Sequence, residues 1–133
     1  MYTISVKSNK RIEFIDVTDQ IKDVLKKEKM NEGIAIIYVP HTTAAVTINE
    51  GADPDVQQDM LKRLSALVPD DESYSNVEGN SDAHIKTSLL GSSEMVIVED
   101  NTLQLGRWQH IFFFEGDGPR NRKMFVQFIP KLR

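Results

Sequence analysis

Short β-rich runs recur along the chain, and their order limits the architectures that it can adopt. Apolar and polar residues alternate in residues 3–7 and 11–17, which is the period of half-buried strands and predicts a hairpin. Residues 34–39 are apolar throughout, which predicts a strand that is buried on both faces. A polar corner separates them from residues 44–48, so these two runs predict a pair of antiparallel strands. Three further runs complete the β-rich part of the chain: 95–98, 110–115 and 124–129.

Two amphipathic helices are predicted between these runs. Thr18 is suited to cap the first helix, because a threonine hydroxyl can accept a hydrogen bond from a free backbone N–H group. The second helix is predicted to begin at Asp53, since aspartate is a favoured cap and Pro54 suits the first helical position. Pro69 is expected to end it. Its predicted core face consists of six apolar residues, namely Val56, Met60, Leu61, Leu64, Leu67 and Val68.

A short third helix follows residues 69–79, which are predicted to form a mobile surface loop. Ser81 is expected to cap this helix, and Gly91 is expected to end it. Ile85 and Leu89 are four residues apart, which predicts that they share its inner face. The order of elements predicts an α+β fold, a mostly antiparallel β-sandwich with flanking helices.

Length and composition agree with a single domain over residues 1–133. Of the 133 residues, 40% are hydrophobic and 27% are charged, which suffices for a core without disulfides. The absence of cysteine excludes thiol catalysis and thiolate metal ligands, and it fits a reducing cytoplasm. No signal peptide is evident, and no apolar run approaches the about 20 residues that a membrane-spanning helix needs. We therefore predict a cytoplasmic protein without a membrane partner.

The charge balance argues against nucleic acid as a partner. Sixteen lysines and arginines stand against 20 acidic residues, which gives a formal net charge of −4. Such a chain has no global positive field, and no basic face studded with aromatic residues is evident. Any site for an anion must therefore be local.

Polar residues concentrate in three connections between the predicted elements, where functional residues often lie. His41 follows Pro40 at a corner, where a neutral imidazole can act as a base or metal ligand, or simply bond to a neighbouring carbonyl. His84 falls near the start of the third helix, whose dipole disfavours imidazolium, although the residue could also merely fill the turn. Asp53 is a possible metal ligand, but capping alone would explain it.

Two ligand classes follow from these connections. The turn 117–120 offers backbone N–H groups beside the guanidinium groups of Arg120 and Arg122, which suits phosphate, although it could also be a plain hairpin turn. Carboxylates suit Mg²⁺, whereas His41 and His84 with one carboxylate suit Zn²⁺. A divalent metal is therefore expected, and the choice between Mg²⁺ and Zn²⁺ stays open.

Three stretches taken together resemble one protein family. The first is Pro40-His41-Thr42-Thr43 through Asn49-Glu50 to Asp53-Pro54-Asp55-Val56, the second is Asn80-Ser81-Asp82-Ala83-His84-Ile85-Lys86, and the third is Gly106-Arg107-Trp108-Gln109 through Asp117-Gly118-Pro119-Arg120. In order and spacing they are similar to the YjbQ-like family, which is described as secondary thiamine-phosphate synthases. The resemblance covers nearly the whole chain.

The resemblance implies a β-sandwich fold, a homotrimer and a site that is assembled near subunit boundaries. It also implies a weak transferase activity on a small phosphorylated metabolite, which joins a pyrimidine diphosphate to a thiazole phosphate and releases pyrophosphate. The implied catalytic residues are His41, Glu50 and His84. The implied substrate-binding residues are Thr42, Thr43, Asn49, Trp108 and Arg120. The implied metal ligands are His41, Asp53 and His84.

Two other functions stay open at this point. A metal-dependent hydrolase of a small phosphorylated or amide substrate would hold its ion with two histidines and a carboxylate, and would use Glu50 as general base. A non-catalytic metabolite-binding trimer would use the same pocket without turnover. The transferase differs from both, because it needs mainly neutralisation of the leaving pyrophosphate and positioning of the nucleophile.

Overall fold

A computed structural model describes residues 1–70 and 73–132, and within them it shows eight strands and three helices. The strands are β1 (Tyr2–Lys7), β2 (Glu13–Asp16), β3 (Gly33–Tyr38), β4 (Ala44–Glu50), β5 (Ser93–Glu99), β6 (Thr102–Leu103), β7 (Gln109–Glu115) and β8 (Asn121–Pro130). The helices are α1 (Thr18–Glu28), α2 (Pro54–Leu67) and α3 (Ser81–Leu90). Asp71 and Glu72 of the predicted loop lie outside the described residues.

The strands form two antiparallel sheets that pack face to face, which confirms the predicted α+β sandwich. The larger sheet has the order β1-β8-β3-β5-β6, and the smaller one has the order β2-β7-β4. The core lies between them, because alternate residues of each strand point inward. From the larger sheet it includes Ile4, Val6, Ala35, Ile37, Val96, Val98, Met124, Val126 and Phe128, and from the smaller one Val46, Ile111 and Phe113.

Two predicted strand pairings are wrong. β1 pairs with β8 and β2 with β7, so residues 3–7 and 11–17 form no hairpin. Likewise β3 lies in the larger sheet and β4 in the smaller one, so they are not partners. At both places the chain crosses from one sheet to the other. A local alternation pattern marks strands and turns, but it does not distinguish a hairpin from a crossover.

The outer side of the larger sheet is open, so the prediction that residues 34–39 are buried on both faces is wrong. Ala35 and Ile37 point inward and are 0% exposed, whereas Ile34 and Tyr38 point outward and are 38% and 46% exposed. The paired strands β5 and β8 add three more exposed apolar side chains to this side of the sheet. The outer apolar face consists of Ile34, Tyr38, Met95, Ile97 and Ile129.

The smaller sheet is covered on both sides, which explains why residues 111–114 of β7 are all apolar. Ile111 and Phe113 face the sandwich core, while Phe112 and Phe114 are also buried but belong to the opposite side. α3 packs against β4, and α2 contacts β2. Asp53 caps α2 as predicted, since its carboxylate accepts the N–H of Asp55 at 2.9 Å.

The predicted core face of α2 is its less exposed face but is only half-buried: Val56, Met60, Leu61 and Leu64 are partly covered, and none of the residues of this helix is fully buried. Leu67 is 62% exposed, and Val68, directly after the helix, is 8% exposed. α1 begins at Thr18 instead of being capped by it, so that prediction is off by one residue. The Thr18 hydroxyl instead joins elements, donating to Asp16 and accepting the N–H of Ile111.

The buried face of α3 is opposite to the predicted one. Ser81 is its first residue and not its cap, and Ile85 and Leu89 are 40% and 66% exposed. The helix instead buries two charged residues, Asp82 and Lys86. Within residues 1–70 and 73–132, no helix has the length and apolar character needed to cross a membrane.

Candidate functional site

A cleft of about 830 Å³ opens at one end of the sandwich, where the chain crosses from β3 to β4. The 41–43 corner, the start of α3 and the turn before β8 all border this cleft. Five of the predicted site residues line it together, namely His41, Thr42, Thr43, His84 and Arg120. Arg122 lines it as well.

Strand alternation places two charged residues at the end of the core, directly beneath the cleft. On β8, Arg122 belongs to the same inward row as Met124 and Val126, and on β7, Glu115 belongs to the row of Ile111 and Phe113. The two sheets therefore present an arginine and a carboxylate to each other. The guanidinium of Arg122 donates through Nε to Oε1 of Glu115 at 2.9 Å and through Nη2 to Oε2 at 2.5 Å.

Ser8 and Thr43 complete this group, which we call the cleft-floor cluster: Ser8, Thr43, Glu115 and Arg122. The Ser8 hydroxyl donates to Glu115 at 2.7 Å, and Nη2 of Arg122 donates to the Thr43 hydroxyl at 2.8 Å. Burial alone would raise the pKa of Glu115, but hydrogen bonds from Arg122 and Ser8 outweigh it and hold that pKa below its usual value. Glu115 is therefore ionised at neutral pH.

Gly116 allows the turn after β7 to close onto the 41–43 corner. A Cβ at this position would lie 2.8 Å from the carbonyl oxygen of Thr43 and 3.3 Å from the side chain of Ala83. The N–H of Gly116 donates to that Thr43 carbonyl at 2.9 Å. Because Gly116 has no side chain, the turn can contact both the 41–43 corner and α3 directly.

Arg120 lies at the rim of the cleft and is held by the same turn. It donates through Nε to the carbonyl of Asp117 at 2.7 Å and through Nη2 to the Asp117 carboxylate at 2.9 Å. The same carboxylate accepts a hydrogen bond from Asn80 at 2.8 Å. Burial alone would raise the pKa of Asp117, but hydrogen bonds from Asn80 and Arg120 outweigh it and lower that pKa. The Arg120 side chain is 50% exposed, in contrast to the buried Arg122.

A second buried ion cluster holds α3 in place behind the cleft. The Asp82 carboxylate accepts hydrogen bonds from both terminal nitrogens of Arg11, at 3.0 and 3.1 Å, and from Lys86 at 3.1 Å. Asp82 and Lys86 are both 0% exposed. This cluster explains why α3 buries its charged face, because that face pairs with Arg11 inside the protein.

His41 takes the place of a strand residue beside β8. The pairing of β3 with β8 ends at Tyr38 and Phe125, and continuing its register by two residues would place Pro40 opposite Lys123. Proline has no N–H group, and the imidazole Nε2 of His41 instead meets the backbone N–H of Lys123 at 3.1 Å. Burial, reinforced by the nearby guanidinium of Arg122, lowers the pKa of His41. The imidazole is therefore neutral at pH 7.

His84 is the other histidine of the cleft. Because Ser81 is the first residue of α3, His84 is the fourth helical residue, near the start of the helix as predicted. Its side chain is half-buried and has no hydrogen-bond partner within residues 1–70 and 73–132. Its ring nitrogens are therefore open to a ligand in the cleft.

The remaining predicted site residues lie at the opposite end of β4, in what we call the far corner: Asn49, Glu50, Asp53 and Trp108. The seven residues of β4 separate the two groups by about 20 Å, at about 3.3 Å per residue. Within one chain, the far-corner side chains serve local structure. Asn49 and Glu50 accept backbone N–H groups of the corner at 2.8 Å each, and Asp53 caps α2.

His110, which is not among the predicted site residues, packs against the far corner. His110 Nδ1 lies 2.5 Å from Asp16, and its ring covers Gly51, where any Cβ would collide with it. The N–H of Gly51 donates to the carbonyl of Trp108 at 2.9 Å. The Trp108 ring is 53% exposed, and the Arg107 guanidinium lies 4.7 Å from its centre.

The predicted metal ligands do not come together within one chain. His41 and His84 share the cleft, but Asp53 lies at the far corner. In the part of the chain that the structure describes, no three histidine, aspartate or glutamate residues are grouped closely enough to hold a metal ion. The residues of a single chain therefore do not fit a divalent metal bound by all three predicted ligands.

From the sequence, Arg122 is a candidate phosphate ligand beside a turn, but its burial and its pairing with Glu115 are not predicted. The signal that locates both is the alternation of their strands. Arg122 is two residues before the buried Met124, and Glu115 is two residues after the buried Phe113. A charged residue that continues an inward apolar row to the end of a strand is a candidate for the floor of a site.

The fold and the cleft define a class of small α+β sandwich proteins in which helices cover one sheet and the crossover corner forms a polar cleft. The chain matches the family described as "UPF0047 protein YjbQ-like" over residues 2–131. It therefore belongs to this YjbQ-like UPF0047 family, which confirms the resemblance seen in the sequence.

Relatives in archaea and bacteria match over nearly their whole length. The chain is 49% identical over 129 residues to UPF0047 protein MJ1081 of Methanocaldococcus jannaschii, covering 97% of this chain and 94% of the relative. It is 46% identical over 128 residues to UPF0047 protein YugU of Bacillus subtilis, covering 96% and 97% respectively. A solved structure of a family member from Clostridium acetobutylicum has a TM-score of 0.95 at 47% identity, covering 97% of this chain and 100% of that one.

Proposed function

We propose that this protein is a transferase that joins a pyrimidine diphosphate to a thiazole phosphate and releases pyrophosphate, as thiamine-phosphate synthases do. The observation that supports this proposal most directly is the set of N–H donors around the cleft. Arg120 lies at its rim and Arg122 at its floor, and each is fixed by a carboxylate, that of Asp117 and that of Glu115 respectively. Guanidinium groups match phosphate oxygens in geometry as well as in charge.

Beyond phosphate binding, the reaction needs only that the two substrates are positioned for C–N bond formation. The bond between the methylene carbon of the pyrimidine and the diphosphate oxygen breaks, and its electron pair leaves with pyrophosphate. The ring nitrogen of the thiazole then donates its lone pair to that carbon, forming the new C–N bond. Fixed N–H donors lower the barrier by stabilising the charge on the leaving group. Neutral His41, together with His84, would orient the pyrimidine ring, and Thr42 also lines the cleft.

We also propose that the active unit is a homotrimer in which the far corner of one chain completes the cleft of the next. Asn49, Glu50, Asp53 and Trp108 cannot reach the cleft of their own chain, because β4 lies between. The outer apolar face supports association of copies, since monomers rarely expose contiguous apolar surface of this kind. Its Tyr38 borders the cleft directly.

Complementation between two inactive variants tests this arrangement. His41→Ala disables the cleft and Glu50→Ala disables the far corner, so each pure variant is expected to lose turnover. If the site is shared between chains, a 1:1 mixture assembled by co-refolding recovers activity in about a quarter of the sites, by random pairing in a symmetric ring. A mixture as inactive as its components would rule out a shared site.

Binding measurements test the transferase itself. Calorimetric titration of the untagged protein with pyrophosphate, thiazole phosphate and pyrimidine diphosphate should show binding, and Arg120→Ala should weaken it about tenfold. Product formation from the two organic substrates is the decisive readout. If all three ligands bind without turnover, the protein is a metabolite-binding trimer instead.

A metal-dependent hydrolase is the second candidate, because two imidazoles share one cleft. Its ion, Zn²⁺ or Mg²⁺, would need a carboxylate from a neighbouring chain, such as Asp53. Metal analysis of the freshly purified protein separates the candidates. Stoichiometric zinc that His41→Ala abolishes would favour hydrolysis, whereas phosphorylated ligands that bind only with added Mg²⁺ would favour the transferase.

A further inference from the structure

Arg122 combines deep burial with a free donor edge. The residue is 8% exposed, and its Nε and Nη2 are both occupied by Glu115 and Thr43. No acceptor within residues 1–70 and 73–132 bonds its third nitrogen, Nη1. Nη1 is not fully buried, so it is open to the cleft that Arg122 lines.

The Thr43 hydroxyl has a similar free donor. Its oxygen accepts the hydrogen bond from Arg122 at 2.8 Å, so its own hydrogen must point elsewhere. None of the described residues accepts that hydrogen, and Thr43 lines the cleft. The bond from a guanidinium also polarises the hydroxyl and makes it a stronger donor.

We propose that Nη1 of Arg122 and the hydroxyl of Thr43 form a fixed oxyanion site on the floor of the cleft, with Glu115 and Ser8 as positioning residues. The ligand is a phosphoryl group, and the inference rests on the proposed function because it specifies how that phosphate is held. Ser8 and Glu115 act through Arg122, since they lock the guanidinium in one orientation.

This site recognises its ligand by the orientation of its hydrogen-bond donors more than by its net charge. The carboxylate of Glu115 already balances the charge of Arg122, just as Asp117 balances Arg120. A phosphoryl group therefore gains from two pre-aimed hydrogen bonds whose donors lose no rotational freedom on binding. Arg120, with a side chain that is 50% exposed, would contribute to the same ligand from the rim with less fixed geometry.

Two substitutions each remove one of the proposed donors. Thr43→Val removes the hydroxyl at nearly constant volume, with Thr43→Ser as its matched control. Arg122→Lys keeps a positive charge beside Glu115 but loses the guanidinium fork, with Arg63→Lys on the exposed face of α2 as its control. Urea denaturation of every variant shows whether its fold is intact.

Calorimetric titration with inorganic pyrophosphate gives the result. We expect Thr43→Val and Arg122→Lys each to weaken binding about tenfold or more, Thr43→Ser to bind more tightly than Thr43→Val because it keeps a hydroxyl, and Arg63→Lys to bind like the wild-type protein. If the wild type binds pyrophosphate and both variants bind equally well, this inference is overturned while the proposed function stands. If the folded wild type binds no pyrophosphate, the proposed function fails and the inference fails with it.

The positioning role of Glu115 has its own readout. An ionised Glu115 should hold the Nε–H of Arg122 in a slowly exchanging hydrogen bond that gives a distinct signal in a ¹H–¹⁵N spectrum. Glu115→Gln should broaden or remove that signal and weaken pyrophosphate binding, while Ser8→Ala should do so to a smaller extent. An unchanged Nε–H signal together with unchanged pyrophosphate binding in Glu115→Gln would contradict the positioning role.

Discussion

Asp82 and Lys86 lie one helical turn apart on α3, and the fold has withdrawn both from water. Burial alone would raise the pKa of Asp82, but hydrogen bonds from Arg11 and Lys86 outweigh it and lower that pKa. A buried pair of this kind adds little net stability over an apolar pair, yet each member depends strongly on the other. Removal of one partner alone is therefore the sensitive test.

Asp82→Ala leaves the Lys86 ammonium buried without a counter-charge. We expect it to lower the free energy of unfolding by about 3–5 kcal/mol. The double variant Asp82→Ala with Lys86→Met should recover a large part of this loss, since no charge then stays buried on α3. Urea denaturation measures both values. Equal losses in the single and the double variant would show that the pair is not coupled.

Gly51 carries a second residue-level prediction, because the ring of His110 occupies the space of its missing Cβ. Gly51→Ala forces that ring away from Asp16, and we expect it to cost about 1–3 kcal/mol. His110→Ala should remove most of the penalty, so the double-mutant cycle should show a strong interaction. Thermal denaturation of the four proteins in the cycle provides the measurement. Additive effects would contradict the steric explanation.

At the level of elements, the sequence predicts where helices and strands form but not which strands meet. Asp53 and Pro54 mark the start of α2, and Gly91 follows the end of α3, because capping is decided by neighbouring residues. The crossover at 41–43 and the buried charged face of α3 depend on partners distant in the chain. Arg11, for example, holds Asp82 from 71 residues away.

Some residues of the candidate site are recognisable from the sequence, and others depend on contacts between distant parts of the chain. The His-Thr-Thr corner and His84 are recognisable from motifs, and the fold brings them together in one cleft. Spacing along the chain does not reveal that β4 separates Glu50 from them. Arg122 and Glu115 were predictable in principle, because both continue inward rows of apolar residues.

Asp53 tests whether a far-corner residue acts by capping or by contact with a ligand. Asp53→Ala removes both the cap and the carboxylate, and we expect it to destabilise the protein by about 1 kcal/mol. Asp53→Ser restores a capping oxygen, so its stability should return to near the wild-type value. If the carboxylate also serves the cleft of a neighbouring chain, both variants should lose turnover. Full turnover in Asp53→Ser would reduce the role of Asp53 to capping.

For the whole molecule, the outer apolar face predicts self-association. Ile97 is 66% exposed and lies opposite Ile34 in the paired strand β3. Ile97→Lys places a charge on this face, and we expect it to shift the proposed trimer to a monomer. Sedimentation velocity measures the change. Asp23→Lys, on the exposed surface of α1, is the control, and a trimer that survives Ile97→Lys would exclude this face as the interface.

Acid should weaken the folded state in two stages, because two kinds of group have lowered pKa values. Burial and Arg122 lower the pKa of His41, so below about pH 6.5 the unfolded chain binds the proton first and stability begins to fall, by at most about 1.4 kcal/mol per pH unit. The carboxylates of Asp82, Glu115 and Asp117 also have lowered pKa values, so below about pH 4 the unfolded chain again binds more protons and the loss becomes steeper. Urea denaturation from pH 8 to pH 3 measures both stages. His41→Gln should flatten the first stage and leave the second unchanged, and an unaltered slope between pH 6.5 and pH 5 would show that His41 is not its source.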